Sequence, residues 1–444
     1  MPAPHLISIL TMPRRPQQSS LMRQTMNDTP SAAAPTANRS ALLIVFLVVF
    51  VDLLGFGIVL PLLPRFGDEY IAAIIPGGKD ARAGGAVLGL LMASFSLMQF
   101  LFAPFWGRLS DRIGRRPVIL IGLIGSALSY SLFALASSLP MLFVARCLAG
   151  IAGANIPTAQ AFIADITTKE NRARGMGMIG AAFGLGFIFG PAIGGFLSHW
   201  GYAAPAWFAA AISFANFVAA LFLLPESRST SDERERVGRV EAFRRALLRP
   251  HLPLVLLVYF LVLAAFSSFE ATFALFSEHQ FGFTSTTIGY MFAWIGVVLA
   301  TVQGALVGRV AKRVGEHRIV PVAIVIIAAG LALIAASRSI PALALASGVL
   351  AMGMGFNSPS MLSAISQLAD PRDQGSTLGV SQSLGSLARI VGPAWGGWVF
   401  DQFGIRLPFV AASAVMLAAA GMSLTAFRGF ERRPAAVSGD SPAS

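Results

Sequence analysis

The chain has 444 residues, of which 55% are hydrophobic and 12% charged, about half the charged share of a soluble domain. This composition excludes an ordinary soluble fold and predicts an all-α membrane protein. The formal charge of +12 does not indicate nucleic-acid binding, because the basic residues lie between apolar segments rather than along one face.

The chain begins with a polar segment, residues 1–40, which lacks the apolar core of a secretory signal and is predicted to be a disordered cytoplasmic tail. Twelve stretches after it are apolar and long enough to cross a hydrocarbon core of about 30 Å. The predicted spans are 41–63, 84–106, 117–137, 140–164, 174–198, 203–225, 252–276, 286–307, 318–337, 340–364, 375–399 and 406–427.

The distribution of basic residues predicts the orientation of these spans. If the N-terminus is cytoplasmic, 26 of the 33 Lys and Arg residues lie on the cytoplasmic side. The positive-inside rule therefore predicts an inner (plasma) membrane protein with both termini in the cytoplasm. The charged connection 226–250 divides the spans into a bundle at 41–225 and a second at 251–428, followed by a cytoplasmic tail at 429–444.

The two sets of six spans repeat each other at a nearly constant offset of 201 or 202 residues. Three matches occur in the same order, and a period this long is typical of a duplicated bundle rather than a solenoid. The sequence thus predicts two pseudo-symmetric six-helix bundles. The matching strings are "GRLSDRIG" and "GRVAKRVG" from Gly107 and Gly308, "GANIP" and "GFNSP" from Gly153 and Gly355, and "GPAIGG" and "GPAWGG" from Gly190 and Gly392.

Span 1 places Asp52 near mid-depth of the membrane. A carboxylate at the centre of a spanning helix costs about 2.5 to 3.5 kcal/mol on insertion scales unless it faces a cavity or a partner. Loss of water favours its protonated form, which makes Asp52 a candidate proton carrier near neutral pH. The alternative is a structural aspartate that is permanently paired.

The connection between spans 2 and 3 reads "GRLSDRIGRR". Its arginines can serve as topology determinants alone, and for Arg115 and Arg116 this explanation stays open beside a role in a gate. A carboxylate adds nothing to a topology signal, so Asp111 predicts a breakable ion pair at a cytoplasmic gate. The candidate gate residues are Gly107, Asp111, Arg112, Gly114, Arg115 and Arg116.

The string "GRLSDRIGRRP" resembles the loop signature of the major facilitator superfamily of transporters. "DLLGFGIVLPLLP" in span 1 and "ADITTKENRARG" after span 4 resemble the tetracycline-efflux-like branch of drug:proton antiporters. The resemblance implies transport by alternating access, in which Gly107 and Asp111 help to lock the two bundles together on the cytoplasmic side.

Span 4 contains Arg146, which cannot lose its proton and must be paired or hydrated within the membrane. It either holds an acidic partner such as Asp52 or acts as a fixed structural brace. Arg146 and the small residues that follow it match the fourth-span pattern of the family, and this resemblance implies a proton relay.

Span 5 carries glycines at intervals of four residues, which leaves one helical face as bare backbone for close packing. Packing alone is a sufficient explanation for such a stripe. The string "GFIFGPAIGG" also resembles the fifth-span signature of proton-driven antiporters, and this resemblance implies efflux by exchange. The residues of this packing motif are Gly186, Gly190, Pro191, Gly194 and Gly195.

The second half contains two charged residues within spans, Glu270 and Arg389. Glu270 is predicted to be a second protonation site or a cation-binding group, or else a residue near the periplasmic mouth. Polar amides can line a substrate cavity, although hydrogen bonds between helices are their ordinary use. The candidate cavity residues are Asn155, Gln303, Asn357, Arg389 and the aromatic Phe269.

No phosphate-binding loop of the G-x-x-x-x-G-K-[ST] type and no Cys/His cluster occurs in the sequence, so we expect no enzyme activity, no cofactor and no metal. The prediction is a monomeric, proton-coupled exporter of amphipathic small molecules, tetracycline-like drugs among them. Its expected partners are a small-molecule substrate, protons and the lipid bilayer. A symporter that takes up sugars or organic anions and a non-transporting receptor are the alternatives.

Overall fold

The computed structural model describes residues 39–75, 83–167, 172–226, 239–369 and 374–427. These residues are almost entirely helical and contain no strand, which confirms the all-α prediction. The predicted tails lie outside the described residues, except for the last two residues of the N-terminal one.

The described residues of the first half form seven long helices, which coincide with the six predicted spans because span 4 is divided in two. Span 1 continues past its helix in the short turns Leu60–Leu62 and Leu63–Phe66, where two prolines cannot donate backbone hydrogen bonds. The helices are α1 (Arg39–Val59), α2 (Gly84–Ile113), α3 (Arg115–Ala134), α4 (Leu139–Ala152), α5 (Ile156–Ile166), α6 (Arg172–Leu197) and α7 (Ala204–Leu223).

The second half begins after a short helix in the linker. A π-helical turn, Val302–Val307, joins two helices into one run at predicted span 8. The helices are α8 (Arg239–Leu247) in the linker, then α9 (Leu252–Phe281), α10 (Ser285–Thr301), α11 (Gly308–Val314), α12 (Glu316–Ala336), α13 (Ile340–Leu368), α14 (Gln374–Phe403) and α15 (Leu407–Phe427).

Ten helices or helical runs in the described part of the chain are long and apolar enough to cross a membrane. Helices α6 and α14, of 26 and 30 residues, lie at the two remaining predicted spans, 5 and 11. Each of the twelve predicted spans therefore corresponds to a helix or a helical run.

Each half is held together by long helix pairs. In the first half α1 packs along α6 and α3 along α7, and in the second half α9 packs along α14 and α12 along α13. The glycine stripe of α6 makes the first of these contacts possible. A methyl group at Gly190 would lie 2.7 Å from the Leu54 carbonyl oxygen, and one at Gly194 would lie 2.6 Å from the Ile58 carbonyl oxygen.

The two halves contact each other mainly through α2 with α14 and through α6 with α10. The contacts lie at the start of α2 and α10 and at the end of α6 and α14, where Gly85 meets Gly397 and Gly195 meets Gly289. We call this the outer end, following the predicted orientation, and the opposite end the cytoplasmic end. The outer end is closed by backbone packed directly on backbone.

Three glycines at the cytoplasmic end have open space beside them. A methyl group added at Gly107 in α2, at Gly308 in α11 or at Gly379 in α14 would meet no atom within 4 Å. The close contacts between the two halves are therefore concentrated at the outer end.

Candidate functional site

Asp52 lies on α1 inside the first half, with 3% of its surface exposed. The Ser126 hydroxyl of α3 donates a hydrogen bond to its Oδ1 at 3.3 Å, and the Tyr130 hydroxyl donates one to its backbone oxygen at 3.5 Å. Its other carboxyl oxygen, Oδ2, is buried without a hydrogen-bond partner among the described residues. Among the described residues, the carboxyl group thus bonds to one hydroxyl group, and its second oxygen has no hydrogen-bond partner.

The break in span 4 lies beside this carboxyl group. The chain leaves α4 through the 3-10 turn Gly153–Asn155 before α5 begins. A methyl group at Gly153 would lie 3.5 Å from the Asp52 carboxyl carbon, and Gln99 of α2 donates a hydrogen bond to the Gly153 carbonyl oxygen at 3.0 Å. The turn therefore brings polar groups from α2 and span 4 to the position of Asp52.

Arg146 lies on α4 with 1% of its surface exposed. Its guanidinium carbon lies 4.6 Å from the centre of the Phe95 ring and 5.6 Å from the centre of the Phe56 ring, so cation–π attraction stabilises its charge. None of its three side-chain nitrogens has a hydrogen-bond partner among the described residues. Tyr130 lines the same small cavity as Arg146 and also bonds to Asp52, so the tyrosine connects the two predicted coupling residues.

In the second half, Glu270 of α9 is 4% exposed, and α9 packs along α14, which carries Arg389. Arg389 donates a hydrogen bond to the Ser386 hydroxyl at 3.4 Å. Helix α9 continues to Phe281, beyond the predicted span end at 276, so Glu270 lies deeper in the helix than the sequence indicated.

The candidate cavity residues are distributed over both halves. The Asn155 amide is buried against Gly122 and, like Oδ1 of Asn357 on α13, has no hydrogen-bond partner among the described residues. Gln303 lies in the π-helical turn of span 8. Phe269 belongs to an aromatic cluster, with ring centres 5.0 Å from Phe273 and 5.7 Å, 6.4 Å and 6.4 Å from Phe266, Phe292 and Phe409. Its surroundings are those of a packed core.

The predicted gate residues gather around Arg115 at the start of α3. Arg115 forms ion pairs with Asp111 and, at 3.3 Å, with Asp165 at the end of α5. Its guanidinium also donates a hydrogen bond to the Ser110 hydroxyl at 2.9 Å. These contacts all lie within the first half. Gly114, with φ of 103°, allows the sharp turn between α2 and α3, and Arg112 is exposed beside it.

Glu226 belongs to this cluster although sequence reasoning did not select it. Its carboxylate oxygens accept hydrogen bonds from the backbone nitrogens of Arg115 and Arg116, at 2.9 and 3.3 Å. The first backbone N–H groups of a helix have no partner within the helix and favour a negative charge. The only signal for this role in the sequence is that Glu226, an acidic residue, directly follows the predicted end of span 6.

We expect Glu226→Gln to loosen the first turn of α3. Loss of the charged cap should cost about 1 kcal/mol of stability and speed hydrogen exchange at the amides of Arg115 and Arg116, measured by mass spectrometry in detergent. Glu69→Gln, which removes an exposed carboxylate paired with Arg65 at 3.2 Å, is the matched control and should leave exchange in α3 unchanged. Equal exchange in both variants would contradict the capping role.

A profile of the family described as Major Facilitator Superfamily matches residues 45–335 and 256–443. The class E tetracycline resistance protein of Escherichia coli is 36% identical over 385 residues, which are 82% of this chain and 91% of that protein. Multidrug resistance protein 2 of Bacillus subtilis is 31% identical over 383 residues, covering 85% of this chain and 92% of its own.

Solved structures have the same fold. The crystal structure of the human organic anion transporter MFSD10 (TETRAN) matches with a TM-score of 0.67 and 31% identity, covering 87% of this chain and 99% of that one. A bacterial homologue of the human lysosomal transporter Spinster, in an inward-facing and occupied conformation, matches with a TM-score of 0.72 over 88% of this chain and 97% of its own, at 15% identity.

Proposed function

Because the chain belongs to the major facilitator superfamily of membrane transporters, we propose that it exports amphipathic small molecules in exchange for protons. The family assignment makes it a multi-pass transporter of small molecules and not an enzyme, with two six-helix bundles in a lipid bilayer. The direction of transport, the proton coupling and the class of substrate are our proposal.

The surroundings of Asp52 carry this proposal. The carboxyl group is almost completely buried, is bonded to the Ser126 hydroxyl and keeps a free acceptor at Oδ2. A structural aspartate in a membrane is ordinarily neutralised by a cation. The Ser126 hydroxyl accommodates both the charged and the neutral carboxyl group, since a hydroxyl can donate or accept a hydrogen bond. Such a group can therefore gain and lose a proton without disrupting its surroundings.

In the proposed cycle, the pathway open to the cytoplasm binds the substrate while Asp52 releases its proton to that side. The halves then rock, the outer end opens, and protonation of Asp52 from outside displaces the substrate. Exchange requires that proton and substrate compete, because a carrier that moves both together would be a symporter. We assign Arg146 the role of favouring the charged form of Asp52 through Tyr130, which bonds to the Asp52 backbone oxygen and lines the same small cavity as Arg146.

We assign Glu270 the role of a second protonation site, because its carboxyl group is buried within a span of the second half, as that of Asp52 is in the first. Asn155, Asn357, Gln303 and Arg389 are the proposed polar lining of the substrate pathway. Among the described residues, the buried Asn155 amide and Oδ1 of Asn357 have no hydrogen-bond partner, which supports this lining because such groups gain most from a polar ligand. The proposal also places a monomer in the inner membrane with both termini in the cytoplasm.

Transport of an organic anion is a second candidate. The human relative whose crystal structure is solved is named an organic anion transporter. In this chain, the guanidinium group of Arg146 has no hydrogen-bond partner among the described residues. An anion with an aromatic body could bind this guanidinium group between Phe56 and Phe95. In that case, substrate entry would move protons with the anion or would not move them at all.

The test is the direction of proton movement in proteoliposomes that enclose a pH-sensitive dye. With no proton gradient imposed, tetracycline or ethidium added outside should enter in exchange for luminal protons, so the lumen should become alkaline. Vesicles that contain the Asp52→Asn variant should show no pH change, which controls for passive entry of the compounds.

Two outcomes would contradict exchange. Acidification of the lumen as substrate enters would mean symport. If an aromatic carboxylate added in place of tetracycline or ethidium also acidified the lumen, the result would support transport of an organic anion. Binding of any of these probes without proton or substrate flux would favour a receptor.

A further inference from the structure

Asp401, near the end of α14, makes a direct contact with the other half of the protein. Its Oδ1 accepts a hydrogen bond from the backbone nitrogen of Gly85 at 2.8 Å, and its Oδ2 accepts one from that of Ala86 at 2.7 Å. Both nitrogens belong to the first turn of α2, where backbone N–H groups have no partner within the helix and the helix dipole favours a negative charge. The carboxylate of the second half therefore caps a helix of the first half.

The surfaces around this contact approach each other backbone to backbone. A methyl group at Gly85 would lie 2.7 Å from Oδ1 of Asp401 and 3.1 Å from the Gly397 carbonyl oxygen. A methyl group at Gly89, one turn further along α2, would overlap the carbonyl oxygen of Pro393. The carboxylate reaches both backbone nitrogens only because these glycines allow α2 and α14 to touch, so the contact exists only while the outer end is closed.

The repeat gives this contact a counterpart with different chemistry. At the 202-residue offset Asp401 corresponds to His199, which lies after the end of α6 at the other outer corner. There His199 Nδ1 lies 3.4 Å from the Thr286 hydroxyl of α10, and that hydroxyl donates a hydrogen bond to the Gly195 carbonyl oxygen at 3.1 Å. Equivalent helices close both corners, but among the described residues at these corners a carboxylate caps a helix N-terminus only at the one between α2 and α14.

We propose that Asp401 is an additional residue of the transport cycle, which holds the outer gate closed by capping α2 across the two halves. Opening of the outer end must break two charge-assisted hydrogen bonds and return the carboxylate and two backbone nitrogens to water. The contact thus favours the state that is open to the cytoplasm and sets how readily the outer side opens. The inference rests on the alternating movement of the halves and not on which carboxyl group carries the proton.

The test measures the separation of the outer ends directly. Spin labels are attached to cysteines at Ala73 and Arg338, two exposed outer positions in different halves, after Cys147, the single native cysteine, is replaced by serine. The labelled protein that retains Asp401 should give a narrow distribution of label-to-label distances, at short values, in detergent. Asp401→Asn, which has the same shape but offers one neutral oxygen acceptor, should raise the share of long distances several-fold, and Asp401→Glu should restore part of the short-distance population.

Glu69→Gln is the matched control, because it removes an exposed outer carboxylate whose described ion-pair partner, Arg65, lies in the same half. It should leave the distances unchanged. A monodisperse Asp401→Asn protein with the wild-type distance distribution would overturn the proposal, and so would an equal shift in the Glu69 control. The distances require neither substrate nor a proton gradient, so this result is independent of whether tetracycline exchanges for protons.

Discussion

Asp52→Asn is expected to fold and bind substrate but to lose export driven by a proton gradient. Asparagine has nearly the same shape and can accept the hydrogen bond from the Ser126 hydroxyl, which lies 3.3 Å from Oδ1 in the native protein. It cannot take up or release a proton. Accumulation of tetracycline in inside-out vesicles energised with an acidic lumen should fall to the level of empty vesicles, while equilibrium binding stays within a few-fold of the native protein.

Two further variants separate loss of the proton carrier from general damage. Asp52→Glu retains a carboxyl group but adds a methylene close to Gly153, whose methyl position lies 3.5 Å from the Asp52 carboxyl carbon, so it should transport slowly and still respond to the gradient. Glu69→Gln removes an exposed carboxylate that pairs with Arg65 and should retain gradient-driven accumulation. Accumulation by Asp52→Asn at the native rate would remove this residue from the coupling mechanism.

Gly190→Val is expected to have the largest effect on stability. Its first side-chain carbon would lie 2.7 Å from the Leu54 carbonyl oxygen and 2.9 Å from the Gly57 α-carbon. Both atoms belong to the backbone of α1, so no side-chain rotation relieves the overlap, and the two helices must separate. Overpacking typically costs about 1 to 3 kcal/mol and more where the backbone must move. We expect a Tm several degrees lower and a poor yield of monodisperse protein.

Gly421→Val is the matched control for this prediction. Gly421 lies in α15, and a methyl group there would meet no atom within 4 Å. Both variants place the same β-branched residue within a helix, so the difference in Tm between them isolates the contact between α1 and α6. Equal Tm values for the two variants would show that α6 does not depend on its glycine stripe.

The spans were predictable from the sequence because hydrophobic length is a local property. Each predicted span falls on a helix or a helical run, and the 202-residue offset indicated the repeat. The two interruptions, at Gly153–Asn155 and Val302–Val307, were not predicted. A break of this kind depends on which neighbouring helices supply hydrogen bonds, and a single apolar segment carries no such information.

The surroundings of the candidate site were less accessible to sequence reasoning. Charge predicted that Arg146 needs a partner, but the described contacts of its guanidinium group are the faces of Phe56 and Phe95. Phe269, a candidate for the cavity lining, lies in an aromatic cluster. The sequence could not indicate this, because aromatic residues that contact substrate and those that form a core have the same sequence pattern.

Glu226 and Asp401 were missed for a common reason. Their partners are backbone N–H groups at helix starts 111 and 316 residues away. Every helix start presents such groups, so no partner residue in the sequence marks these contacts. The two carboxylates became visible only when the three-dimensional arrangement of the helices was known.

The cap that Glu226 places on α3 bears on how this chain can be engineered. A small rigid domain inserted between residues 226 and 239 would add mass for single-particle imaging at the boundary of the two halves. The fusion should begin after Glu226 and retain the last turn of α7, because Arg116 also donates a hydrogen bond to the Leu221 carbonyl oxygen at 2.6 Å. A junction placed a few residues earlier would detach the start of α3 along with the linker.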